Sequence, residues 1–194
     1  MFNAKISLTK LFTVVLIVLI LFVLAYFKEI GIFLTTGKIE NHLSLIQTIR
    51  PSLSIPRLGL EASVLPFGLT DDGSLDTPKL PTELGWYSLG VSPGKVGTAV
   101  IFGHRGWVNG VQATFDNLYK LTIGDMITYI NEQGQTSTFL VRNLKIYNKD
   151  DNTSSVFSTN DSLAHLNLIT CAGAWNEDET TYSERLVIFT DKVN

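Results

Sequence analysis

The chain has 194 residues, 45% hydrophobic and 17% charged, with a mean hydropathy of +0.20, a formal charge of −3 and one cysteine. Plentiful apolar and aromatic residues exclude intrinsic disorder, and the lone cysteine excludes a disulfide scaffold. All 18 Asp and Glu lie beyond Lys28, with no basic stripe among them, which excludes nucleic acid as a partner.

Residues 11–27 carry no charge, and Thr13 is their one polar residue besides the Tyr26 phenol. As a helix they span about 25 Å, and the apolar flanks supply the rest of a roughly 30 Å hydrocarbon core. A buried core helix would show a polar stripe. A cleavable signal would end in a small-x-small site, which Ala25-Tyr26-Phe27 is not. The segment therefore reads as an uncleaved transmembrane signal anchor with the lipid bilayer as its partner. Lys5, Lys10 and the free amino terminus precede it, whereas Lys28 is answered by Glu29. The positive-inside rule then makes residues 1–10 cytoplasmic and the rest extracellular, a single-pass protein of the cell membrane.

Residues 28–50 read as a juxtamembrane stalk, with Ile39, His42, Leu43, Leu45, Ile46 and Ile49 at loose helical spacing until Arg50-Pro51 ends it. Residues 51–194 have the length of one domain. Short β-branched and aromatic runs at 53–55, 62–67, 97–102, 126–131, 136–147, 163–171 and 185–190 alternate with turn signals such as Asp72-Gly73, Ser92-Pro93-Gly94, Gln133-Gly134 and the polar stretch 150–155. Seven or eight strands, with at most a helical turn over 112–121, predict an all-β domain, a closed or nearly closed barrel.

Three strand ends concentrate unusual chemistry. An apolar strand ends on Gly103 and presents His104; another ends on Thr170-Cys171; a third begins with Arg185. If the last two are antiparallel neighbours joined by residues 172–184, Cys171 and Arg185 sit side by side. His104 has to be brought to them by the tertiary fold. A thiolate attacks carbonyls, an imidazole moves the proton, and a fixed cation lowers a thiol pKa or stabilises an oxyanion. Each also has a plain structural reading: an inert buried thiol, a turn histidine, a solvated edge arginine. Of the other histidines, His42 lies in the stalk. His165 shares a strand face with Cys171 but stands six residues away, about 20 Å along the strand, too far to transfer a proton.

The run Leu168-Ile169-Thr170-Cys171, with Gly103-His104 upstream and Arg185 at the head of the last strand, resembles the sortase family of membrane-anchored cysteine transpeptidases of Gram-positive bacteria. Further marks between residues 53 and 193 agree: Ile55-Pro56, Leu58-Gly59-Leu60, Gly85-Trp86-Tyr87, Pro93-Gly94, Gly97-Thr98-Ala99-Val100 and Gly124-Asp125. Phe157 before the catalytic strand and Ala172-Gly173-Ala174-Trp175 after Cys171 are most similar to class F sortases. The resemblance implies an eight-stranded sortase barrel, Cys171 as nucleophile, His104 as acid and base, and Arg185 as oxyanion and substrate stabiliser. Thr170, beside the nucleophile, is assigned to substrate binding.

The implied reaction is cleavage of a C-terminal sorting signal of the LPXTG type through a thioacyl intermediate. The acyl group then passes to an amine, such as that of a peptidoglycan precursor, or to water. No cofactor or metal is expected. Asp150, Asp151 and Asp161 read as turn formers, and Glu177, Asp178 and Glu179 either bias substrate charge or are simply solvated. Two other readings compete. One is an L,D-transpeptidase-like cell-wall enzyme, whose Ser-x-Gly-Cys context is absent here. The other is a membrane-tethered, non-catalytic binding β-domain.

Overall fold

The computed structural model describes residues 15–28, 49–178 and 180–193, the side chain of Val108 excepted. The chain divides into two units, Met1–Thr48 and Ile49–Asn194. In the first, residues 15–28 form helix α1, whose large apolar side chains are exposed. Among the described residues no helix is long and apolar enough to cross a membrane. The expected span begins at Leu11, and residues 11–14 lie outside the described residues, as do residues 29–48 of the expected stalk.

The second unit is a closed barrel of eight strands: β1 (Ser52–Ile55), β2 (Leu60–Phe67), β3 (Leu84–Tyr87), β4 (Gly97–Gly103), β5 (Met126–Ile130), β6 (Thr136–Asn148), β7 (Ala164–Asn176) and β8 (Thr181–Lys192). They follow one another around the barrel as β1-β2-β3-β4-β7-β8-β6-β5, with β5 pairing back onto β1. The pairs β2/β3 and β4/β7 are parallel and the others antiparallel. The expected all-β, eight-stranded closed barrel is the fold observed, and closure leaves no unpaired strand edge.

Strands β1, β2 and β5 bury every second residue, as their sequences alternate: Ala62 and Val64 of β2, and Ile127 and Tyr129 of β5, point inward. Strand β4 differs, because residues 98–102 are all buried. Its Ala99 and Ile101 enter the barrel core, while its other face is covered with help from the short helix α2 (Ser154–Phe157). Parallel strands covered on both faces read as continuous apolar runs, and β4 does, whereas β7 buries His165, Asn167 and Thr170 among its apolar residues. The core is built on Leu53, Ile55, Leu84, Phe115, Phe139, Leu166, Leu168 and Ile188. A second cluster, Tyr147, Val156, Val187 and Phe189, packs on the other face of the sheet. There the Asn167 Nδ2 donates to Val156 O at 2.6 Å, pinning α2 to β7.

Besides helix α2, where no helix is expected, three features depart from the sequence expectation. Strand β3 has four residues including a glycine, and is held by non-local pairing with β2 and β4. The helical turn expected over 112–121 is a 3-10 turn at Leu118–Lys120. Residues 172–184, expected as a long loop, continue both strands into a hairpin paired as far as Asn176 and Thr181.

Candidate active site

Strand β4 is apolar until Gly103, where the chain leaves the sheet and His104 emerges. The Thr170 hydroxyl donates to Gly103 O at 2.8 Å, tying the end of β4 to the residue before Cys171. The loop that follows is closed on itself. Phe115 N–H donates to His104 O at 3.1 Å, and the Asp116 carboxylate accepts from Gly106 N–H at 2.6 Å and Ala113 N–H at 3.0 Å.

Cys171 stands directly opposite Arg185 in the antiparallel β7–β8 ladder, as expected of antiparallel neighbours. It does not end its strand, however. The ladder slips between Ala172 and Trp175, with Gly173 at φ 76°, so the thiol sits immediately before a β-bulge. Glycine is needed there because a Cβ would collide with Ser183 and Glu184, and such bulges re-aim neighbouring side chains at functional sites.

His104, Thr170, Cys171 and Arg185 line one cavity of about 830 Å³. Phe102 and Ile169 give it an apolar base, Trp107, Trp175 and Tyr182 border it, and Thr77-Pro78 of the β2–β3 connection forms another side. The fold thus brings together all four residues singled out from the sequence. Thr170 is itself buried, with its hydroxyl committed to Gly103. Burial pushes the Cys171 thiol above its ordinary pKa, while Arg185 and Arg105 pull it back part of the way. Burial thus favours the neutral thiol, and the two arginines favour the thiolate.

The His104 ring lines the same cavity. Its Nε2 lies 2.8 Å from Pro78 O, and a carbonyl can only accept, so Nε2 carries the hydrogen. In the neutral ring Nδ1 then holds the lone pair. The bond to Pro78 O fixes the orientation of the ring and leaves Nδ1 as its acceptor atom. The edge of the ring pair with Trp107, centroids 4.7 Å apart, steadies it further.

Arg185 is anchored by its own strand. Its Nη1 donates to Tyr182 O and Glu184 O, both at 2.8 Å, and Nη2 donates to Thr181 Oγ1 at 3.1 Å. Three of five donors are spent, leaving Nε–H and one Nη2–H for a ligand oxygen. A thiol, an imidazole lone pair and a fixed guanidinium in one apolar-based cavity are the parts that nucleophilic attack on a carbonyl requires.

His165 lies elsewhere, as expected. It is buried, with Nδ1 2.7 Å from Asp191 and Nε2 2.9 Å from Asp161. Asp161 also accepts from Leu163 N–H, and Asp151 from Asn148 N–H, so both act in turns. Two site residues escaped the sequence reading. Pro78 carries no signal, because its part is played by a backbone carbonyl. Arg105 did carry one, a cation directly after the rim histidine.

A sortase domain model matches residues 53–193. Among solved structures the chain resembles a lid mutant of sortase A from Corynebacterium diphtheriae, at 25% identity and a TM-score of 0.59 over 75% of this chain and 70% of that one. It resembles sortase C-1 from Actinomyces oris at 21% identity and a TM-score of 0.59, covering 77% and 76%. Sortase C1 of Streptococcus agalactiae, in a complex with MTSET, follows at 22% and 0.58, covering 74% and 67%. No curated protein matches the chain in sequence. With the domain match spanning the whole barrel and the barrel itself superposing on solved sortases, the chain belongs to the sortase family of cysteine transpeptidases.

Proposed function

We propose that Cys171 is the nucleophile, His104 the acid and base, and Arg185 the oxyanion stabiliser of a sortase that cleaves an LPXTG-like C-terminal sorting signal. The observation that carries this is the placement of Cys171 opposite Arg185 with His104 on the same cavity. Nδ1 of His104 takes the thiol proton, the thiolate adds to the scissile carbonyl, and the free donors of Arg185 receive the oxyanion. The imidazolium protonates the departing amine, leaving a thioester on Cys171. A thioester keeps acyl-transfer potential, so an amine, such as that of a peptidoglycan precursor, competes with water for it. Hydrolysis makes the same enzyme a cysteine endopeptidase when no acceptor is present. Thr170 acts by holding Gly103, and so His104, against Cys171 rather than by touching substrate.

The class F assignment rests on Phe157 and on the Ala172-Gly173-Ala174-Trp175 run. Anchorage of the enzyme in the cell membrane by residues 11–27, with the barrel outside, is supported by their uncharged sequence and by the helical backbone of residues 15–27. A library of LPXTG-related peptides incubated with the full chain, with and without an amine, tests the reading: one bond is cut, and the amine is joined to the new carboxyl end. Protection of the barrel from protease added outside intact protoplasts would contradict the topology.

A further inference from the structure

Arg105 follows His104 in the chain and lines the same cavity. Its guanidinium carbon lies 5.8 Å from the centroid of the Tyr182 ring, and that ring packs edge to face on Trp175 with centroids 5.1 Å apart. Gly106, at φ 68°, lets the loop come so close to the Tyr182 hydroxyl that a Cβ there would collide with it. The cation is thus seated on an aromatic plate by a backbone fitted to that plate. Arg142 and Arg57 each face an aspartate, and Arg185 is held by three oxygens. Arg105 has no ion pair or hydrogen bond among the described residues. A half-buried guanidinium beside the nucleophile, held in place without an anion, is suited to receive one from a ligand.

The position of Arg105 indicates which ligand. In the second half of the reaction the acceptor amine attacks the thioester carbon: the C–N bond forms, the C–S bond breaks, the thiolate returns to Cys171 and the amine proton passes to Nδ1 of His104. The attacking nitrogen therefore lies against His104, and Arg105 is the cation without an anion that lines the same cavity. Resting on the transpeptidase reading above, we propose that Arg105 binds a carboxylate carried on the same carbon as the acceptor amine. The enzyme thereby prefers an amino-acid-like acceptor over the same amine with a neutral amide in that place.

The test competes alanine against alaninamide for the thioacyl form of the full chain, made with an LPXTG-type peptide, and weighs the two ligated products by mass spectrometry. Comparing variants cancels the different basicities of the two amines, and counting products only from acylated molecules removes any misfolded fraction. Arg105→Gln should lower the alanine to alaninamide ratio about tenfold, the worth of one charge-assisted pair in a half-exposed site, and Arg105→Lys should restore part of it. An unchanged ratio in Arg105→Gln overturns the proposal and means that the cation acts only on the thiol. Failure of the unaltered chain to form any thioacyl enzyme overturns the transpeptidase reading beneath it, and this proposal with it.

Discussion

At one end of the β7–β8 ladder His165 faces Asp191, and six residues further along the same strand Cys171 faces Arg185. Both are titratable and both are largely withdrawn from water, yet their surroundings differ in one respect. Each ring nitrogen of His165 has a carboxylate, and Arg142 Nε closes the set on Asp191 at 2.8 Å. Burial lowers the pKa of His165, but the hydrogen bonds to Asp161 and Asp191 outweigh it and leave the pKa raised. At Cys171 the balance is reversed: burial wins over the two arginines, and the thiol has no hydrogen-bond partner among the described residues. A fully satisfied group holds a fold together, whereas an unsatisfied one beside a cavity retains capacity for chemistry.

The largest expected effect breaks the reactive end of this ladder. Cys171→Ala should abolish cleavage and transfer while the thermal transition stays near that of the unaltered chain, because one sulfur is removed at a cavity wall. His104→Ala comes next, with a loss of about 10² to 10⁴ in rate. In the unaltered enzyme the pH–rate profile should be bell-shaped, since His104 must be unprotonated and Cys171 must still hold the proton that passes through His104 to the leaving amine. Its two apparent pKa values belong to the coupled pair, and His104→Ala should flatten the profile. Arg185→Lys keeps the charge but loses the planar fork that grips Tyr182, Glu184 and Thr181. Steady-state kinetics should show about 2 to 4 kcal/mol less transition-state stabilisation.

The smallest effect on activity belongs to the sealed end. His165→Ala should leave turnover close to that of the unaltered chain and cost about 1 to 3 kcal/mol of stability, measured by denaturant unfolding. Because the folded-state pKa of His165 is raised, its contribution is complete below the unfolded value of about 6.5 and fades as pH rises through the folded value. Asp161 runs the other way. The hydrogen bond from His165, followed by that from Leu163, lowers its pKa, so its contribution is present above the ordinary carboxylate range and is lost on acidification. Stability should therefore peak between the two, and the variant should lose the alkaline part of that dependence.

Much of this contrast is legible in the sequence. The pitch of a strand puts Cys171 opposite Arg185 once the strands joined by residues 172–184 are taken as antiparallel neighbours, and the same pitch separates His165 from both. The barrel is legible because β1, β2 and β5 alternate while β4 and β8 carry the apolar runs of strands buried on both faces. What escapes is whatever non-local pairing supplies. Strand β3 is too short to show a period, and Trp175 and Tyr182 extend the hairpin through their contact across it. Helix α2 has four residues and one buried side chain, Val156, too little for a helical pattern. The approach of His104 to Cys171 depends on the parallel β4/β7 pairing and on Thr170 reaching Gly103, neither of which a linear pattern encodes.

The most direct test of the account is the intact mass of the full chain mixed rapidly with an LPXTG-type peptide. A transient adduct equal to the peptide minus its departing fragment should appear on Cys171, vanish when an amine or hydroxylamine is added, and be absent from Cys171→Ala. An adduct that persists in Cys171→Ala, or cleavage by the unaltered chain without any adduct on Cys171, would contradict the assignment of this end of the ladder to chemistry.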